Sequence, residues 1–292
     1  MKKIGVIGQG FVGSSLREGF KNTFEVLAYD KFLTEKSNST LEDIVGTCDV
    51  IFSCVPTPMD MESGEASIHI VKEVITDINY WAAKLDKQPV IVIKSTVPPG
   101  TCNFLDTQYS TKCPIVFNPE FLTEANAVED FKNQDRIIIG APSRDAEYGE
   151  RVRDVFATGF PDVRIEITDH DTAEMVKYVA NCFLATKVAF ANEMFDICNG
   201  LDTNYDEVIK LAILDKRLGD SHWMVPGPDG GRGYGGSCFP KDLQALRYIA
   251  SQLGTPVTTD VLDATHFKNN RIRENRDWEQ MDGRAVINKV KV

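Results

Sequence analysis

Residues 3–13 read Lys-Ile-Gly-Val-Ile-Gly-Gln-Gly-Phe-Val-Gly, a short apolar run that passes directly into G-x-G-x-x-G and then into a helix-like stretch. The pattern constrains the backbone at each glycine: Gly8 makes a tight turn, Gly10 lets the chain approach a pyrophosphate, and Gly13 lets the helix pack on the strand. The helix amides, with Phe11 and Val12 in the first turn, then face the phosphates. Glycine-rich turns are common, so the context matters. A second apolar run, 24–30, ends in Asp30, about 20 residues beyond the glycines, where a ribose 2'-hydroxyl needs an acceptor. A carboxylate there repels a 2'-phosphate and argues for NAD over NADP, although Lys31 beside it weakens the argument.

Apolar runs then alternate with helical patterns. Strands are predicted at 4–7, 25–29, 50–54, 90–94, 115–117 and 137–139, with helices at 68–85 and 146–158 among the segments between them. Such alternation implies a parallel sheet with helices on both faces, and ligands outside the carboxyl ends of the strands. Polar, proline-marked loops fall there: Val55-Pro56-Thr57, Ser95-Thr96 with the prolines after it, and Asn118-Pro-Glu120-Phe121-Leu122-Thr-Glu124. Each is also compatible with an ordinary strand-ending turn.

From Thr172 a long helix is predicted, apolar nearly all round and so expected to be a buried connector. Lys177 and Asn181 are four apart and share a face of it. They are costly to bury without partners or ligands. Beyond Glu193 the pattern is helical, at 208–214, 243–253 and 257–269. The expected fold is a Rossmann-like doubly wound parallel sheet over 1–171, then the connecting helix and a small all-α domain over 172–270. Residues 271–292 read as a peripheral tail.

Residues 233–242, Gly-Tyr-Gly-Gly-Ser-Cys-Phe-Pro-Lys-Asp, put Cys238 after a glycine-rich loop and before Lys241 and Asp242. A lone cysteine in a loop is more often a small buried hydrophobe. Beside a dinucleotide fingerprint, it reads as a nucleophile.

The remaining composition narrows the partners. A formal charge of -11 disfavours nucleic acid, and no run approaches the roughly 18 apolar residues of a membrane span. Strand one begins at once, which leaves no room for a signal peptide. Seven cysteines without framework spacing imply reduced thiols and a cytoplasmic location, and four histidines without ligand spacing imply no structural metal.

Taken in order, the fingerprint with Asp30, the Val-Pro-Thr57 loop, Ser95-Thr96-Val-Pro-Pro-Gly, Asn118-Pro-Glu-Phe-Leu, Lys177-x-x-x-Asn181, Lys216-Arg217-Leu-Gly and the Cys238 block resemble the nucleotide-sugar dehydrogenase family from Met1 to about Asn270. The resemblance implies four-electron oxidation of a sugar C6 alcohol to a carboxylate, with two NAD reduced. UDP-glucose is the first choice of substrate, and a mannose or aminosugar nucleotide suits the same chemistry. It further implies NAD contacts from Gly8, Gly10, Phe11, Val12, Gly13, Asp30, Val55, Pro56, Thr57, Ser95, Thr96, Glu124 and Lys241. Substrate contacts are implied from Glu120, Phe121, Leu122, Lys177, Asn181, Tyr234, Gly235 and Gly236, with Arg217 acting across a homodimer formed by the helical region. Cys238 would be the nucleophile, Lys177 and Asn181 the oxyanion donors, and Asp242, Thr96 and Glu124 the surroundings of a water active in general-base steps. Family members carry a further α/β domain that binds the nucleotide, for which the sequence after residue 270 has no room. Two other readings stay open: a two-electron β-hydroxyacid dehydrogenase, which gives the cysteine no role, and a non-catalytic NAD or nucleotide-sugar binding module.

Overall fold

The computed structural model describes residues 2–108, 113–142 and 146–287. The chain forms two compact units, one comprising 1–57 and 67–177, the other 58–66 and 178–292.

The first unit is built on a seven-stranded sheet. Its strands are β1 (Lys3–Ile7), β2 (Glu25–Tyr29), β3 (Val50–Ser53), β5 (Val90–Ile93), β6 (Ile115–Phe117), β7 (Arg136–Ala141) and β8 (Arg164–Asp169), while β4 (Met59–Asp60) belongs to the second unit. The spatial order is β2-β1-β3-β5-β6-β7-β8. All pairings are parallel except β6 with β7, which meet antiparallel at Phe117 and Gly140. The chain steps from β1 outward to β2 and returns to β3 on the other side of β1. The strand order therefore reverses between β1 and β3, where the fold leaves a crevice at the carboxyl ends.

The central strands are apolar on both faces because helices cover both. Ile4, Val6, Val90 and Val92 pack with Leu16 and Phe20 of α1 (Phe11–Phe20), Phe131 of α5 (Ala127–Lys132) and Phe156 of α6 (Ala146–Gly159). Their neighbours Ile7, Ile91 and Ile93 point the other way, onto Ile44 of α2 (Leu41–Thr47), Ile75 of α3 (His69–Leu85) and Leu105 of α4 (Thr101–Gln108). Strand β8 was not expected from the sequence. Its alternating Arg-Ile-Glu-Ile-Thr-Asp run is half exposed, the signature of an edge strand rather than of a buried parallel one.

One helix, α7 (His170–Gly200), leads from the sheet unit into the second. There follow α8 (Tyr205–Ala212), α9 (Cys238–Gln252) and α10 (Asp260–Ile272), and β9 (Val286–Ile287) pairs with β4. The expectation that α7 is buried all round is corrected. Val179, Phe183, Phe190 and Ile197, spaced to share one face, are 56%, 67%, 51% and 48% exposed. Among the described residues Trp223 meets the Phe190 ring edge-on, and the face otherwise stays largely open. The segment after residue 271 is also more than a peripheral tail: Trp278 is buried with Met59, Ala285 and Val286. Residues 288–292 of that segment lie outside the described residues.

Candidate active site

In the sheet unit, the glycine fingerprint takes the conformation its spacing demands. Gly8 adopts φ +87°, and a Cβ there would sit 2.8 Å from the Cys54 carbonyl oxygen. A Cβ on Gly13 would overlap the Gly8 carbonyl, so helix and strand touch as the motif requires. Gly10, the N-cap of α1, is exposed with open space over its Cα and has no side chain to cap the helix. The first-turn amides of α1 thus face a backbone-lined cradle, which fits a pyrophosphate.

Asp30, at the end of β2, accepts hydrogen bonds from the Gln9 amide at 2.6 Å and from the Phe32 and Leu33 amides at 2.9 and 2.8 Å. Partial burial pushes its pKa up, but the amides of Leu33, Gln9 and Phe32 and the Lys36 ammonium outweigh this and hold it below the ordinary aspartate value. Asp30 is therefore a carboxylate beside the phosphate turn, where a ribose hydroxyl would find an acceptor. NAD fits this set of groups.

The loops after β3 and β5 are stitched together. Ser95 Oγ donates to the Val55 carbonyl at 2.6 Å, and Thr57 Oγ1 donates to the Thr96 carbonyl at 2.8 Å. Val55 and Pro56 are thus held beside Ser95 and Thr96. Glu120 receives Lys177, whose Nζ donates to both its carbonyl oxygen and Oε1, the latter at 3.1 Å. Its Oε2 accepts from the Leu122 amide at 2.7 Å. The Lys177 ammonium also lies 5.4 Å from the Phe121 ring centroid. Lys177 and Glu120 are 2% and 7% exposed, so this is a desolvated ion pair whose rupture would strand a charge. Glu124, by contrast, starts an exposed turn.

In the helical unit, Cys238 is the first residue of α9 and is half-buried. The positively polarised amides of a helix N-terminus stabilise a thiolate formed there. Of the seven cysteines, only Cys54 and Cys238 are less than fully buried, and burial pushes the Cys54 thiol up to about 12. Asp242, one turn into α9, is 1% exposed. Its Oδ1 accepts from Lys241 and its Oδ2 from Asn181 Nδ2, the latter at 2.6 Å. Helices α9 and α7 are thereby joined through two of the predicted residues. Tyr234 is buried against Cys182 and Leu243, and its backbone is held by Asn269, whose Oδ1 accepts from the Tyr234 amide at 2.8 Å and whose Nδ2 donates to the Tyr234 carbonyl at 3.0 Å. Arg217 stands apart. Its side chain is 88% exposed and paired with Asp215.

The NAD binding domain of the UDP-glucose/GDP-mannose dehydrogenase family matches residues 25–159, and the central domain of the same family matches residues 171–271. The chain belongs to this family. Members resembling it include the UDP-glucose 6-dehydrogenases of Rickettsia prowazekii, 40% identical over 77% of this chain and 50% of that one, and of Rhizobium meliloti, 38% identical over 74% and 49%. The chain spans about half the length of these curated relatives. Among solved structures, a UDP-glucose dehydrogenase from Pyrobaculum islandicum superposes with a TM-score of 0.80 at 28% identity, over 93% of this chain and 68% of that one. A GDP-mannose dehydrogenase from Pseudomonas aeruginosa gives 0.66 at 27% identity, over 92% and 68%. NAD is accordingly the cofactor of the sheet unit.

Among the buried ionisable groups that the sequence does not single out as site residues, two lie next to the predicted loops. Lys94, at the end of β5, donates to Asn118 Oδ1 at 2.6 Å and to its carbonyl at 3.3 Å, under the loop that carries Glu120. Burial lowers its pKa to about 8. Glu174, three residues before Lys177 on α7, accepts from the Gly100 amide at 2.6 Å and the Cys102 amide at 2.8 Å. It thus ties α7 to the loop that follows Thr96. The sequence signal for both was adjacency to predicted site residues. Among the described residues no cluster of His, Cys, Asp or Glu is placed to hold a metal ion, and no helix is long and apolar enough to cross a membrane.

Proposed function

We propose that this chain carries the NAD-binding and nucleophile-bearing parts of a UDP-glucose 6-dehydrogenase, which takes the sugar C6 alcohol through the aldehyde to the carboxylate. The observation that carries the reading is Cys238 at the N-terminus of α9, after the glycine-rich loop and one turn before an Asp242 bound to Asn181. An alcohol can release hydride once its proton is removed, but an aldehyde carbon must first become tetrahedral. Cys238 Sγ supplies that step by adding to the carbonyl carbon. The oxygen that gains charge is met by the Lys177 ammonium and the Asn181 amide, one turn apart on α7. Bound NAD supplies the hydride acceptor. The thioester left on Cys238 takes up water, assisted by Asp242, Thr96 and Glu124 as the general-base surroundings, and returns the free thiol with the carboxylate.

Phe121, Leu122, Tyr234, Gly235, Gly236 and Glu120 line the sugar nucleotide in this reading, and Val55, Pro56, Thr57, Ser95 and Lys241 the cofactor. The exposed apolar face of α7 and the exposed Arg217 side chain support a homodimer in which Arg217 reaches the partner's substrate. Seven cysteines in the thiol form suit a reducing compartment, and we place the protein in the cytoplasm. The test is to mix the full chain with NAD and UDP-glucose and count NADH formed per sugar consumed. Two per sugar is expected. One per sugar with the aldehyde accumulating, or none with NAD bound, would overturn the four-electron reading.

A further inference from the structure

The segment following residue 271, beyond the family's central-domain match, reaches back onto the glycine-rich loop. Asp277 Oδ2 accepts from the Gly236 amide at 3.0 Å, two residues before Cys238. Its other oxygen lies 3.4 Å from Arg273 Nη2, which also donates to Asp229 Oδ2 at 2.6 Å. Asp229 in turn caps the loop from inside, with its Oδ1 accepting from the Gly231 amide at 3.0 Å. The Arg273 Nε donates to the Asn275 carbonyl at 2.7 Å, so the guanidinium is aimed rather than free to swing. It is 5% exposed, and the loop is moulded on it: a Cβ on Gly231 or on Gly235 would overlap the guanidinium. The glycines at these positions leave the room that the guanidinium occupies.

A buried guanidinium with one carboxylate from the loop and one from the segment beyond it costs desolvation, and is weak evidence for stability alone. What the arrangement secures is position. Trp278, buried with Met59, Ala285 and Val286, and the β4–β9 pairing anchor the segment immediately after Asp277, so the carboxylate is presented from a fixed base. We propose that Arg273 and Asp277 are positioning residues for the nucleophile loop, holding the backbone of residues 231–236 in the path that delivers Cys238 to the first turn of α9. The sugar-nucleotide role of that loop rests on the function proposed above; the positioning itself does not.

Hydrogen exchange on the full chain separates the two. In the unaltered protein the Gly236 amide is expected to be protected. Asp277→Asn keeps an acceptor for that amide and is expected to retain most of the protection. Asp277→Ala removes it, and the peptides covering 231–238 should exchange roughly fivefold faster, the size of one net hydrogen bond, with α9 beyond its first turn and α10 unchanged. The same variant should raise the KM for UDP-glucose more than it lowers kcat. Equal exchange in all three proteins would overturn the proposal. So would faster exchange throughout the helical unit, which marks a merely structural role. Should Asp277→Ala not fold, a Gly236 amide exchanging in the unaltered protein at the rate of an unprotected peptide is sufficient to reject it. If UDP-glucose leaves exchange at 231–238 unaltered in a protein whose Asp277 arm behaves as expected, the substrate reading fails and the positioning stands.

Discussion

Replacing Glu174 with Gln tests the electrostatics of the sheet unit at one atom pair. Glu174 is fully buried. The Cys102 thiol and the amides of Cys102 and Gly100, at the N-terminal end of α4, favour its ionised form. Burial outweighs them and, with Asp171 adding repulsion, raises the pKa from 4.5 to about 7. A displacement of that size is worth ~3 kcal/mol at 1.36 kcal/mol per pKa unit. The sign follows from proton counts: between those values the folded chain holds a proton that the unfolded chain has released. Stability is therefore fully present below the unfolded value, and falls as pH rises through about 7. With partial ionisation of the unfolded chain at pH 5 allowed for, the loss from this group between pH 5 and pH 8 is ~2.5 kcal/mol. A Gln cannot titrate, and it keeps one acceptor for the two amides at a cost of about 1–3 kcal/mol. Urea unfolding of both proteins at the two pH values, read by far-UV dichroism, isolates the term because every other titrating group cancels in the comparison. Glu174→Gln should be the less stable protein at pH 5 and should recover ~2–3 kcal/mol relative to wild type by pH 8. Stability curves that run parallel across this range would show the carboxyl ionised at its ordinary value, and the burial argument would be wrong.

Three further outcomes follow from the geometry. Cys238→Ser should leave NAD binding intact but cut carboxylate formation by on the order of 10³ or more, measured as uronate produced; near wild-type turnover would remove the thiol from the mechanism. Gly13→Ala forces a Cβ into the Gly8 carbonyl, and overpacking of that kind costs about 1–3 kcal/mol, so NAD affinity by titration calorimetry should fall by tenfold or more (about 1.4 kcal/mol per tenfold); an unchanged Kd would place the phosphates elsewhere. Phe183→Glu, on the exposed face of α7, should yield monomer in analytical ultracentrifugation while the unaltered chain sediments as a dimer. A monomeric unaltered chain would instead leave that apolar face unexplained.

The sheet was legible where burial and punctuation coincide. Strands β1, β3 and β5 are continuous apolar runs ended by Gly8, by Pro56 and by Ser95-Thr96, and only a strand covered on both faces has a reason to be written that way. Strand β8 escaped because an edge strand needs only one covered face, and its Arg164, Glu166 and Thr168 break the apolar run that marks the buried strands. The apolar α7 was read as core because sequence records that a face avoids water, not what covers it. The family matches and the dinucleotide fold were within reach because glycine spacing fixes backbone geometry locally, whereas the placement of Glu174, Lys94, Arg273 and Asp277 is fixed by tertiary packing. Each of these four binds protein groups that no local pattern announces: Glu174 the amides of Gly100 and Cys102, Lys94 Asn118, Arg273 the carboxylates of Asp229 and Asp277, and Asp277 the Gly236 amide. A charged residue that touches backbone rather than ligand carries no local motif, since any chain segment that brings a carboxylate or ammonium to the right amide or carbonyl will serve. It follows that the groups hardest to read from this sequence are those that set the precision of the site. Substitutions at Asp277 or Glu174 should therefore perturb catalysis while leaving every recognisable motif intact.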